Sequence, residues 1–226
     1  MTAHATAPAV RADDFAVMRQ AMVASQLRTA AVDDPRVVAA IAQVPREAFV
    51  PGASADLAYR DTAIDLGQGR RLNTPLATAR LIVAARLLPA DRVLLVGAAT
   101  GYAAAILAKL VAQVTAVEST PALVAQARTV LADTPNVTLV EGPLEHGHPD
   151  GAPYDVLFID GAVEDVPTAL VQQLADGARV VTGLIDRGVT RLCAGRVIGG
   201  ALGLNSLTDI EMVALPGFCA AKAFTF

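Results

Sequence analysis

The chain has no tryptophan and, in 226 residues, only two cysteines. A chain of this length can bury a full-sized core without covalent staples, so Cys193 and Cys219 are expected to be free thiols and not a bridge. There are also only two lysines, Lys109 and Lys222, and the net charge is -4, so no basic stripe exists for phosphate-backbone contacts and no nucleic-acid partner is expected. The three histidines, His4, His146 and His148, form no Cys/His cluster. Although Glu141 and Glu145 lie near two of them, they sit on a strand end and a polar loop, so no metal site is expected. A membrane span needs roughly 20 consecutive apolar residues. The longest nearly uncharged stretch, residues 93–108, is interrupted by Gly97, Thr100 and Gly101, so no membrane partner is expected either. The first residues include Pro8, Arg11 and two acids without an apolar block, which gives no secretory signal and leaves a cytoplasmic address as the expectation.

What the chain does have is alanine and a regular alternation of apolar segments. The composition predicts one helix-rich α/β domain over residues 1–226, with N-terminal helices and a loop in 1–74, an α/β core in 75–190 and C-terminal strands in 191–226. Phe15, Met18 and Met22 recur at helical spacing behind Asp13 and Asp14, and Asp34-Pro35 starts a second helix carrying Val37, Val38, Ile41 and Val44. Residues 61–74 then read as one long loop around Gly67 and Gly69. Thr74-Pro75 caps a helix to residue 88. From there apolar strands at 92–96, 114–117, 137–141, 155–160 and 179–184 alternate with helices, the pattern of a parallel sheet covered on both faces. Apolar stretches at 192–204 and 210–215 predict strands closing the sheet edge.

In such a sheet ligands sit beyond the carboxyl ends of the strands, where the first strand turns into its helix. Here the turn is Gly97-Ala98-Ala99-Thr100-Gly101-Tyr102, and Glu118 ends the next strand about 20 residues on, where an acid accepts hydrogen bonds from ribose hydroxyls. The same residues also admit a plainer account in which the glycines serve the turn and Glu118 the next helix. A nicotinamide enzyme needs two further glycines that are missing, and a hydrolase elbow needs a serine that is absent.

Several segments in order resemble the protein-L-isoaspartate O-methyltransferases. Val44-Pro45-Arg46-Glu47-x-Phe49-Val50-Pro51, Ala58-Tyr59-x-Asp61, Gly67-x-Gly69 and Pro75 resemble the family's substrate-side segment. Gly97-x-x-x-Gly101-Tyr102 resembles its cofactor loop and Val117-Glu118 its ribose acid; Ala152-Pro153-Tyr154-Asp155 and the run from Gln173 to Val181 continue the match to Ala214-Leu215-Pro216. The resemblance implies a doubly wound, mostly parallel Rossmann-like sheet of about seven strands with an N-terminal helical cover. It implies methyl transfer from S-adenosylmethionine to isoaspartyl carboxylates of damaged proteins or peptides. It also implies a cofactor crevice at Gly97, Ala98, Ala99, Gly101, Tyr102, Glu118 and Gly142, with Gly69, Arg70, Arg71, Leu72 and Thr74 on the substrate side and Asn73 orienting the substrate.

Four positions depart from the family pattern. Leu95 stands for an acid, Ala99 for the middle glycine, Pro143 for a second acid, and Arg70-Arg71-Leu72-Asn73-Thr74-Pro75 for Gln-Thr-Ile-Ser-Gln-Pro. They support a second reading, a non-catalytic or differently liganded descendant that binds or regulates. Arg70 and Arg71 either attract a carboxylate or phosphate or remain solvated loop charges.

Overall fold

In a computed structural model, which describes residues 12–218, the chain begins with helix α1 (Ala12–Met22) and helix α2 (Pro35–Gln43). Asp34 caps α2 as its sequence predicts, its side chain accepting from the Arg36 amide. Two residues of the substrate-side motif serve this cover. Arg19 donates to the Tyr59 hydroxyl at 2.8 Å and pairs with Glu47 at 3.1 Å, and Tyr59 donates to Glu47. The Arg19 and Glu47 side chains are 16% and 18% exposed, so this three-way contact fastens α1 to the segment after α2.

The stretch expected as a loop is a β-hairpin: β1 (Ile64–Gly67) pairs antiparallel with β2 (Arg70–Leu72). Gln68 and Gly69 both have positive φ, the requirement of a tight hairpin turn whose twist matches that of the strands. The strands are too short for their alternation to stand out in sequence. Helix α3 (Pro75–Ala85) follows, with Thr74 accepting from the Ala77 amide as its N-cap.

The main sheet comprises β3 (Arg92–Val96), β4 (Gln113–Glu118), β5 (Val137–Glu141), β6 (Tyr154–Val163), β7 (Leu174–Asp186), β8 (Val189–Ile198) and β9 (Ala201–Asp209), in the order β5-β4-β3-β6-β7-β8-β9. Strands β3 to β7 are parallel, and β8 and β9 return antiparallel as the closing hairpin. Alternate residues of β3 enter two separate cores. Val93 and Leu95 pack with α1 to α4, the last being Tyr102–Leu107, while Leu94 and Val96 pack with Leu170 and Val171 of α6 (Thr168–Val171) and with Leu215. Helix α5 (Pro121–Val130) joins the first core through Ala127.

Several expected bounds move. Helix α3 ends at Ala85 and not at residue 88, α6 is a single turn, and β7 extends into both flanks of the expected strand. Residues 210–215 form no strand; only an isolated bridge joins Ala162 and Ala214. Cys193 is buried and free; Cys219, Lys222 and His4 lie outside the described residues. No helix among the described residues is long and apolar enough to cross a membrane, and none of their His, Cys, Asp and Glu side chains group as a metal site.

Candidate active site

The strand order reverses around β3, with β4 on one side and β6 on the other, so the loop from Gly97 to Gly101 stands at the switch point. The turn hangs on the neighbouring strand, with the Gly97 and Ala98 amides donating to the Val117 carbonyl at 3.0 and 3.1 Å. Gly97, Ala99 and Gly101 all have positive φ. At Ala99 this costs a side chain its steric preference. Gly101 serves packing, since a Cβ there would meet Leu131 at 2.7 Å. Gly97 faces the C-terminal segment, and a Cβ on it would lie 2.8 Å from Leu215 Cδ1.

Glu118, at the end of β4, is wholly buried and receives six hydrogen bonds, the longest from the Ser119 hydroxyl at 3.4 Å. Arg70 donates from Nη2 at 2.7 Å and from Nε at 3.3 Å, and the amides of Ala99, Ser119 and Thr120 donate at 2.7, 2.9 and 3.0 Å. Burial alone would raise this carboxyl, but Arg70 and the amides outweigh it and hold it below its ordinary value. Arg70 is therefore no solvated loop charge. Strand alternation in β2 turns Arg70 and Leu72 inward and leaves Arg71 exposed, donating to the Ala63 carbonyl.

A second polar cluster lies at the end of β6. Asn73 Nδ2 donates to Asp160 Oδ1 at 2.9 Å, Thr78 donates to the same oxygen at 3.1 Å, and the Val213 amide donates to Asn73 Oδ1 at 2.9 Å. Burial raises the Asp160 carboxyl above its ordinary value despite Asn73, Thr78, Arg46 and Arg70. Arg46 is fully buried, donates from Nη2 to the Asn73 carbonyl at 2.5 Å, and sits 4.5 Å over the Tyr102 ring, while its Nε and Nη1 find no partner. Burial lowers its pKa accordingly.

The structure thus gathers Arg70, Asn73, Gly97, Ala99 and Glu118 at one end of the sheet. Tyr102 turns into the core against Phe49 and Arg46, Leu72 is also core, Thr74 caps α3, and Gly69 is at the exposed hairpin tip. Gly142 donates its amide to the Glu118 carbonyl at 3.1 Å and lines an outer cleft of about 410 Å³ with Glu141, Pro143 and Glu145. Asp160, Thr78, Arg46 and Leu215 were not picked out as site residues from sequence. Asp160 carries the same signal as Glu118, an acid ending an apolar parallel strand; Leu215 carries none.

Asn73 holds two elements with one amide, so the shorter side chain of Asn73→Ser cannot reach both. We expect it to lower unfolding free energy by about 1–3 kcal/mol, the cost of an orphaned buried polar group, in urea denaturation.

An adenosyl cofactor does not fit these residues as they are arranged. Leu215 packs against Gly97, and Arg70 takes up acceptor positions on both oxygens of Glu118, the acid expected to receive a ribose.

The model of the protein-L-isoaspartate(D-aspartate) O-methyltransferase family matches residues 18–194. A protein-L-isoaspartate O-methyltransferase from Rhodopseudomonas palustris is 39% identical over 210 residues, covering 91% of this chain and 86% of its own. One from Roseiflexus castenholzii is 38% identical, covering 90% and 94%. Among solved structures, a protein-L-isoaspartate O-methyltransferase superposes with a TM-score of 0.76 at 24% identity, covering 88% of this chain and 66% of that one. A Plasmodium falciparum homologue in complex with S-adenosyl-L-homocysteine superposes at 0.73 with 20% identity, covering 87% and 97%. The solved structures establish the fold as that of Rossmann-like methyltransferases, and the sequence matches establish the kinship: this chain belongs to the protein-L-isoaspartate(D-aspartate) O-methyltransferase family.

Proposed function

We propose that the chain transfers the methyl group of S-adenosylmethionine to the free carboxylate of isoaspartyl residues in damaged proteins, acting in the cytoplasm. The observation that carries this reading is the family match over residues 18–194, which contains the substrate-side segment as well as the turn and Glu118. The relatives from Rhodopseudomonas palustris and Roseiflexus castenholzii bear the same activity in their names. A carboxylate acceptor is already ionised at neutral pH, so the protein's task is placement more than acid or base chemistry. That agrees with a site whose two strand-end acids, Glu118 and Asp160, are both consumed by internal hydrogen bonds.

The test is transfer of label from methyl-labelled S-adenosylmethionine to a peptide carrying one isoaspartate. We expect label on that peptide and none on its ordinary aspartyl counterpart. Equal labelling of the two, or none on either, would sink the reading. The engagement of Glu118 by Arg70 favours the second reading, a descendant that binds without transferring, and that reading predicts no label at all.

A further inference from the structure

The six hydrogen bonds to Glu118 are of two kinds. Four come from Ala99, Ser119 and Thr120, three from backbone amides and one from the Ser119 hydroxyl, fixed by the turn after β3 and by the start of α5. The remaining two belong to Arg70, whose side chain enters from a separate hairpin with an exposed tip. An ionised carboxylate offers about four lone-pair sites. With Arg70 in place Glu118 has no acceptor left for a ribose diol; with Arg70 withdrawn it keeps its three amides and the Ser119 hydroxyl and frees one position on each oxygen. The guanidinium is only 4% exposed and its pairing is two-pronged, so it is a built contact and not a surface ion pair.

We propose that Arg70 is an internal competitor for the ribose-binding acid: it occupies Glu118 in the free protein, must leave before an adenosyl cofactor binds, and so sets the affinity for that cofactor. This rests on the methyltransferase reading above. The apparent dissociation constant of a ligand rises by the inverse of the fraction of protein that is open. A pair closed ninety-nine parts in a hundred weakens binding about a hundredfold by that relation.

The experiment is calorimetric titration of the full chain, its Arg70→Gln variant and its Arg70→Lys variant with S-adenosylhomocysteine, with thermal melts run alongside. We expect Arg70→Gln to bind about tenfold tighter or more than the parent and Arg70→Lys to fall between, since lysine keeps the charge without the fork. A second measurement needs no variant. The Arg70 Nε–H of the parent, followed by NMR, is expected to shift and lose its exchange protection when S-adenosylhomocysteine is added. Equal micromolar binding by parent and Arg70→Gln, with an unmoved Nε–H, overturns the competitor and leaves methyl transfer standing. No binding by any folded form at millimolar ligand overturns both.

Discussion

Glu118→Ala is expected to melt roughly 10 °C below the parent. The substitution leaves the Arg70 guanidinium buried at 4% exposure with no countercharge, and strips the amides of Ala99, Ser119 and Thr120 of their acceptor. Breaking one side of a buried ion pair costs about 3–5 kcal/mol, and a chain of this size loses about 2–4 °C for each. The mechanism is separable by a second change. Removing the pair leaves no stranded charge, so Glu118→Ala with Arg70→Leu is expected to recover a good part of the loss. If the double variant melts lower than Glu118→Ala alone, the stranded charge is not what destabilises. The effect also has a pH sign. Because the Glu118 carboxyl is held below its ordinary value of 4.5, its stabilisation is present above that value and disappears as pH falls through the depressed one. The gap between parent and variant therefore closes on acidification below about pH 4.5 and stays constant above it.

Gly161→Ala is expected to detach the C-terminal segment. A Cβ at residue 161 would lie 2.6 Å from Leu215 Cγ and 2.9 Å from the Val213 carbonyl oxygen, and the second of these is backbone that cannot turn aside. Overpacking of this kind costs about 1–3 kcal/mol. The segment is held beside Ala162 by two hydrogen bonds, Ala162 N to the Val213 carbonyl at 2.8 Å and Leu215 N to the Ala162 carbonyl at 2.9 Å. Yielding there is the route of relief. Amide exchange at Ala162 and Leu215 is expected to accelerate by about a hundredfold, some 2.7 kcal/mol, while the β3 amides stay protected. Unchanged protection at both positions would show that the sheet absorbs the extra methyl instead.

The strands were legible because each is a short apolar run with a turn signal behind it; β5 lies where its pattern places it, and β4 ends on the acid expected of it. Caps were legible for a similar reason, since Asp34-Pro35 and Thr74-Pro75 act within one helical turn. What escaped depends on partners distant in the chain. The hairpin β1–β2 is seven residues of strand, too few for a period of two to declare itself. Arg70 looked like one of two equivalent loop arginines, and only the side of the strand it occupies sends it to Glu118, 48 residues away. Asn73 meets Asp160 across 87 residues and Val213 across 140. Nothing local marks Leu215 as a lid, because any apolar residue in an irregular tail reads as ordinary core.

The position of Asn73 ties the hairpin that carries Arg70 to the segment that carries Leu215. It follows Leu72 directly, so any withdrawal of Arg70 that carries β2 with it pulls on the amide that also grips Val213, two residues from Leu215. Movement of β2 is therefore expected to loosen the Val213 segment as well. The Val213 and Leu215 amides are then expected to share one opening free energy in hydrogen exchange.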